Sequence, residues 1–138
     1  MKKITTVTIA LFSIIVIFAI LIGYNYFTSV HAISKQQAID LATKYGQWSS
    51  QGLGNDTVEA DLLQAHLSNR IALVIDPTTM STNSYPQVVP LRSLNVKENQ
   101  IFWEVTIKHY LSHYESKQWI YEIDATNGTL IQSFTPNG

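Results

Sequence analysis

The sequence predicts an α+β protein with one N-terminal transmembrane helix, followed by a short amphipathic helix packed on a three- to four-stranded antiparallel sheet. Three observations predict this class. Residues 4–27 contain no charged residue, residues 33–46 space their apolar side chains as a helix does, and apolar and polar residues alternate from Ile101 onward. At 138 residues the chain is long enough for one folded domain.

The first element is the apolar run of residues 4–27. A helix of about 20 apolar residues crosses the hydrocarbon layer of a bilayer, so this run is long enough to span it. Lys2 and Lys3 precede the run, whereas residues 24–34 contain no Lys or Arg. The positive-inside bias therefore predicts a single-pass protein of the cell membrane, with its N-terminus in the cytoplasm and its C-terminal domain outside.

An alternative interpretation of the same run is a secretory signal peptide. Val30, His31 and Ala32 resemble the small-residue pattern at which signal peptidase cleaves, so the domain would be secreted after cleavage near Ala32. Both interpretations export the remainder of the chain. Residues 1–30 are thus expected to be an anchor or an uncleaved signal, and residues 31–138 an extracytoplasmic domain.

Composition excludes several classes of function. The chain has no cysteine, so disulfides, thiolate metal sites and a cysteine nucleophile are ruled out. Of nine Lys and Arg residues two precede the apolar run, which leaves seven against ten Asp and Glu in the remainder. This mildly acidic balance lacks the positive field that nucleic acid binding requires, and nucleic acid is not an expected partner.

The second element is a short helix that begins at Lys35. Ser34 and Gln37 stand three residues apart in the S-x-x-Q form of a capping box. Gly46 is expected to close the helix in a left-handed conformation. One apolar stripe at helical spacing follows the cap, and its members are Ala38, Leu41, Ala42 and Tyr45.

The last third predicts a three-stranded antiparallel meander. Apolar and polar side chains alternate along residues 101–111 and again along residues 118–124, with a polar turn between them. His109 falls on the apolar side of the first strand. Asn127-Gly128 then forms a tight turn, and residues 129–135 return as the third strand.

The middle of the chain is less regular. Residues 58–67 are interpreted as a strand, although Asp56 and Glu59 also fit a capped helix start. Residues 68–99 combine an apolar run with Pro77, Pro86 and Pro90, and are interpreted as an elaborated excursion from the compact core without an assigned topology.

Three stretches resemble a PepSY domain: residues 33–42 (ISKQQAIDLA), 102–105 (FWEV) and 121–130 (YEIDATNGTL). The resemblance covers the short helix and the last third, whereas the segment between Gly46 and Asn99 departs from the family pattern. It implies a small unit with one helix across an antiparallel sheet, located outside the cytoplasmic membrane. In propeptides of thermolysin-type metallopeptidases such domains are associated with inhibition of the peptidase, so inhibition is an implied role.

Four residues are candidates for partner binding or for a family motif: Trp103, Tyr121, Asp124 and Gly128. The functional interpretation makes Asp124 a ligand or a partner contact. An Asp before a turn also commonly accepts hydrogen bonds from nearby backbone amides, and Trp103 also suits the core of the domain.

No catalytic, metal-ligating or cofactor-binding residue is predicted. His109 and His113 are four residues apart, a spacing that on a strand separates them by about 13 Å. The carboxylates are scattered, so no acid–base pair is expected, and no G-x-S-x-G motif occurs.

The sequence therefore predicts a non-catalytic extracytoplasmic protein-binding module that inhibits or modulates an exported peptidase, or that binds another envelope protein. Two alternatives remain: a structural envelope or pilin-like subunit, and a surface protein that binds a small ligand or a metal.

Overall fold

The structure is a computed structural model that describes residues 14–19, 32–48, 56–113 and 115–136. The chain divides into two compact units, Met1–His31 and Ala32–Gly138. The expected anchor comprises residues 1–30. Of these, residues 14–19 are helical, and residues 1–13 and 20–30 lie outside the described residues. Within the described ranges, no helix is both long enough and apolar enough to cross a membrane.

In the second unit, the described residues form one helix and one antiparallel sheet of seven strands. The elements are α1 (Lys35–Tyr45), β1 (Asp56–His66), β2 (Ile71–Asp76), β3 (Ser81–Thr82), β4 (Val88–Pro90), β5 (Ile101–Tyr110), β6 (Ser116–Asp124) and β7 (Leu130–Phe134). The sheet order is β3-β2-β1-β5-β6-β7, and β4 also pairs with β2, beside β3.

The predicted fold class is wrong. The described residues form mostly antiparallel sheet, with seven strands where three or four were expected and with no membrane-spanning helix among them. The additional strands come from residues 68–99, because the apolar run in β2 pairs with β1 and receives β3 and β4 on its other side. Pro90 lies in the short edge strand β4, where a missing backbone N–H interrupts no interior ladder. The strands expected at 58–67, 101–111, 118–124 and 129–135 are confirmed as β1, β5, β6 and β7.

The start of α1 confirms the predicted capping box. The Ser34 hydroxyl accepts a hydrogen bond from the Gln37 amide at 3.2 Å, and the Gln37 side chain accepts one from the Ser34 amide at 2.8 Å. Ile33 joins this helix start to the sheet through both of its backbone groups. Its N–H donates to the Ala125 carbonyl at 2.8 Å, and its carbonyl accepts from Trp103 Nε1 at 2.9 Å.

The end of α1 differs from the prediction. Gly46 has φ −79°, a right-handed conformation, and the following residue, Gln47, takes the positive φ of 54° instead. Glycine is needed at position 46 for space, because a Cβ there would meet the Tyr121 hydroxyl and the Trp48 indole. Those two groups are joined by a 3.0 Å hydrogen bond from Trp48 Nε1 to the Tyr121 oxygen.

The two faces of the sheet are covered differently. On the helix face, α1 packs against apolar side chains of β1, β5 and β6, among them Trp103, Val105, Ile107, Tyr121 and Ile123. The opposite face carries a second cluster that includes Leu63 and Phe102. Residues 91–100, here called the strap, run across this opposite face and add Leu91 and Val96 to the second cluster. That face is here called the strap face.

We expect Gly46→Ala to lower the free energy of unfolding by about 2 kcal/mol, because the new methyl group overpacks the contact between Trp48 and Tyr121. Urea unfolding of the full-length protein in mild detergent, followed by tryptophan fluorescence, measures the change. Gln47→Gly is the control. It removes a side chain from a left-handed position, so stability should stay constant or rise by up to about 1 kcal/mol. Equal stability of Gly46→Ala and the wild type would contradict the packing argument.

Candidate functional site

A transverse row of polar side chains crosses the strap face. In the antiparallel register Asp61 of β1 pairs with Glu104 of β5, Glu104 pairs with Glu122 of β6, and Glu122 pairs with Gln132 of β7. Glu59 precedes Asp61 by two residues and lies on the same face of β1. We call Glu59, Asp61, Glu104 and Glu122 the acidic strip.

Burial increases along the acidic strip from β1 to β6. Glu59 and Asp61 are exposed, Glu104 is half-buried, and Glu122 is fully buried, with 0% of its surface exposed. Neither carboxyl oxygen of Glu122 has a hydrogen-bond partner. The Ser93 hydroxyl of the strap lies beside Glu122, but its donor bond goes to Gln132 Oε1 at 3.3 Å. A buried carboxyl group without a partner is costly, and such groups occur frequently at functional sites.

The environment shifts two of these carboxyl groups in the same direction. Burial raises the pKa of Glu122 to about 7; the Ser93 hydroxyl opposes the rise, the Glu104 carboxylate adds to it, and Arg92 opposes it. Burial also raises the pKa of Glu104, with Arg92 opposing and Asp61 adding. Glu122 therefore exchanges its proton near neutral pH, which is unusual for a carboxyl group.

The ladder between β6 and β7 is irregular next to Glu122. Glu122 pairs with Gln132, whereas Ile123 pairs with Leu130, so the register shifts between these neighbours. The extra residue on β7 is Ile131, which packs against the second cluster. Bulges of this kind commonly redirect side chains beside functional sites.

The pairing of Glu104 with Glu122 was not predicted, and it arises from the register of the hairpin. The sequence contains a signal that could have revealed this. Once the turn is placed at residues 111–115, Tyr110 pairs with Ser116, and counting back along both strands aligns the two glutamates. The contribution of Asp61 could not be obtained in this way, since β1 is distant in the sequence and its register with β5 depends on tertiary packing.

Two of the predicted site residues lie on the helix face. Trp103 and Tyr121 are buried beneath α1, with 1% and 5% of their surfaces exposed. The Trp103 indole N–H donates to Ile33, and the Tyr121 hydroxyl accepts from Trp48. In this position both side chains stabilise the packing of the helix on the sheet.

The other two predicted site residues form the turn between β6 and β7. Asp124 Oδ1 accepts hydrogen bonds from the amides of Thr126 and Asn127, and Asp124 Oδ2 accepts one from Gln100 Nε2 at 2.7 Å. Burial alone would raise the pKa of Asp124, but the bonds from Thr126, Gln100 and Asn127 together lower it. Gly128 has φ +72°, so its positive φ confirms the predicted turn chemistry.

Gly128 also lines a shallow surface groove between the β6–β7 turn and α1. The groove contains Leu41, Lys44 and Tyr45 of the helix. The Tyr45 hydroxyl donates to the Gly128 carbonyl at 2.9 Å, so this contact holds the helix end to the turn. The acidic strip lies on the opposite face of the sheet.

A second pair of titratable groups joins β1 to β5. His109 Nδ1 lies 2.5 Å from Asp56 Oδ1, and these two residues are register partners. A carboxylate in this position fixes the orientation of the imidazole ring. Among the described residues, no group of three or more His, Asp and Glu side chains is arranged to hold a metal ion.

No protein-family model, no curated protein and no solved structure matches the chain.

Replacing Glu122 should change how stability depends on pH. The raised pKa means that the folded state keeps the Glu122 proton between about pH 4.5 and about pH 7, while the unfolded state releases it. Relative to Glu122→Gln, the wild type should therefore lose stability as pH rises through this interval, by on the order of 3 kcal/mol.

Urea unfolding of both full-length proteins across this pH range measures the difference in unfolding free energy. Glu59→Gln, which neutralises an exposed carboxyl group on the same face, is the matched control. A constant difference between the wild type and Glu122→Gln, or an equally steep change in the control, would contradict the assignment.

Proposed function

We propose that this chain is a non-catalytic, extracytoplasmic protein-binding module of PepSY type, and that the acidic strip binds a basic segment of an exported peptidase or another envelope protein. The observation that carries the proposal is the buried Glu122 carboxyl group, which lies without a partner at the inner end of a row of carboxylates. A lysine or arginine side chain of the partner supplies the missing hydrogen bonds and the compensating charge.

The arrangement of the acidic strip favours a macromolecular partner. Adjacent strands are separated by about 4.8 Å and alternate residues on one strand by about 6.6 Å, so the carboxylates are spread over a surface instead of converging on one point. Glu59 and Asp61 are exposed at its outer end. Small ligands generally occupy concave pockets, whereas a basic peptide segment matches a line of separated negative charges.

The location outside the membrane is supported by the N-terminal sequence. Residues 4–27 contain no charge, and Lys2 and Lys3 precede them. The PepSY assignment is supported by the stretches at residues 33–42, 102–105 and 121–130, and by the packing of α1 on β5 and β6. Modulation of an exported peptidase is the role that this resemblance implies.

The proposal is tested by reversing charge at the exposed end of the acidic strip. The double variant Glu59→Lys, Asp61→Lys places positive charge where the partner's basic segment binds, so capture of the partner should weaken at least about tenfold. The measurement is in-cell cross-linking with the tagged full-length protein, followed by quantitative mass spectrometry of the captured envelope proteins and a titration with the purified partner.

The control makes the same change in net charge elsewhere. Asp40 is exposed on α1, and Glu115 is exposed in the β5–β6 turn. The double variant Asp40→Lys, Glu115→Lys should bind the partner as the wild type does. Binding in the wild type should also weaken as salt is added, because exposed charges are screened. Equal loss in both double variants, or in neither, would refute the assignment of the acidic strip.

A further inference from the structure

The strap is fixed firmly at its ends. The Leu91 amide donates to the Arg70 carbonyl at 2.9 Å, and the Asn99 amide donates to the Ala65 carbonyl at 2.9 Å. Leu91 and Val96 are also buried against the second cluster, with 7% and 5% of their surfaces exposed. These backbone bonds and apolar contacts hold the two ends of the strap to β1 and to the segment before β2.

The centre of the strap is held more weakly. Ser93 Oγ donates to Gln132 Oε1 at 3.3 Å, and Asn95 Nδ2 donates to the same oxygen at 3.2 Å. Both distances lie at or beyond the upper end of the normal range, and both bonds depend on one acceptor on β7. Ser93 is buried, with 1% of its surface exposed, but its side chain is small and polar, and Leu94 is 76% exposed. The centre can therefore move away from the sheet at a lower cost than the ends.

Glu122 lies under this weakly held centre. The groups that face it are Glu104 from β5, Gln132 from β7, and Arg92 and Ser93 from the strap. While Glu122 is protonated, the buried carboxyl group is neutral and compatible with the closed strap. After ionisation it is a buried negative charge beside a second carboxyl group, and it requires water or a cation.

We propose that residues 92–95 are a proton-operated cover, which closes over Glu122 while its carboxyl group is protonated and opens when the proton is released to solvent. Opening exposes the inner end of the acidic strip. The identity of the group that then binds there, a basic side chain of the partner, rests on the proposed function; the opening itself does not. The device makes partner binding stronger above neutral pH than below it.

Two features of the surroundings of Glu122 set the pH at which the cover opens. Burial raises the pKa of Glu122 to about 7, so the proton is released within the range of pH that exported proteins meet. The Glu104 carboxyl group adds to that rise. Removing the charge of Glu104 should therefore shift opening to lower pH.

Hydrogen–deuterium exchange of the full-length protein in mild detergent, without any partner, tests the cover. After correction for the intrinsic pH dependence of exchange, the wild-type strap should exchange at least about threefold faster at about pH 8 than at about pH 5.5. In Glu122→Gln the strap should stay protected at both pH values. Glu59→Gln, an exposed neutralisation on the same face, should behave as the wild type does.

Glu104→Gln gives a second test that does not depend on Glu122→Gln folding. Its opening midpoint should lie at lower pH than that of the wild type. Equal protection of the wild-type strap at both pH values, or the same pH-dependent increase in Glu122→Gln, would overturn the cover. Since no partner is present, these results are separate from those of the capture experiment, and loss of partner binding alone leaves the cover unaffected.

Discussion

The register of the β5–β6 hairpin is the constraint on which the rest of the structure depends. It places Trp103 and Tyr121 on the face covered by α1, and Glu104 and Glu122 on the opposite face. Side chains alternate along a strand, so a slip of one residue in β6 would move its whole apolar set to the wrong face. The same alignment that buries the core therefore also brings the two glutamates together.

This alignment has an unfavourable consequence, the burial of the Glu122 carboxyl group. Like charges directly opposite each other on adjacent strands repel, and a buried carboxyl group without hydrogen bonds is unfavourable. The apolar contacts on both sides of β5 and β6 offset this cost, because Phe102 packs on the strap face while Val105 and Ile107 pack on the helix face. A fold with this much burial tolerates an unfavourable group such as Glu122, and that group is the basis of the proposed binding.

The strap connects the fold to the proposed function. Its apolar residues complete the second cluster, so it belongs to the core, yet its polar centre lies over the acidic strip. The helix face is covered by α1 instead. There the start of α1 is bonded to the sheet through Ile33, and its end is bonded to the β6–β7 turn through Tyr45. Under the proposed function, the helix face stabilises the fold and the strap face binds the partner.

The sequence by itself determined the elements whose causes are local. The capping box at Ser34, the alternation in β5 and β6, and the positive φ of Gly128 follow from neighbouring residues. The strands within residues 68–99, the position of Asp61 in the acidic strip and the burial of Glu122 were decided only by tertiary structure. Pairing between distant strands sets which face of β1 is covered, and burial beneath the strap, which no local pattern encodes, makes Glu122 different from the other carboxylates.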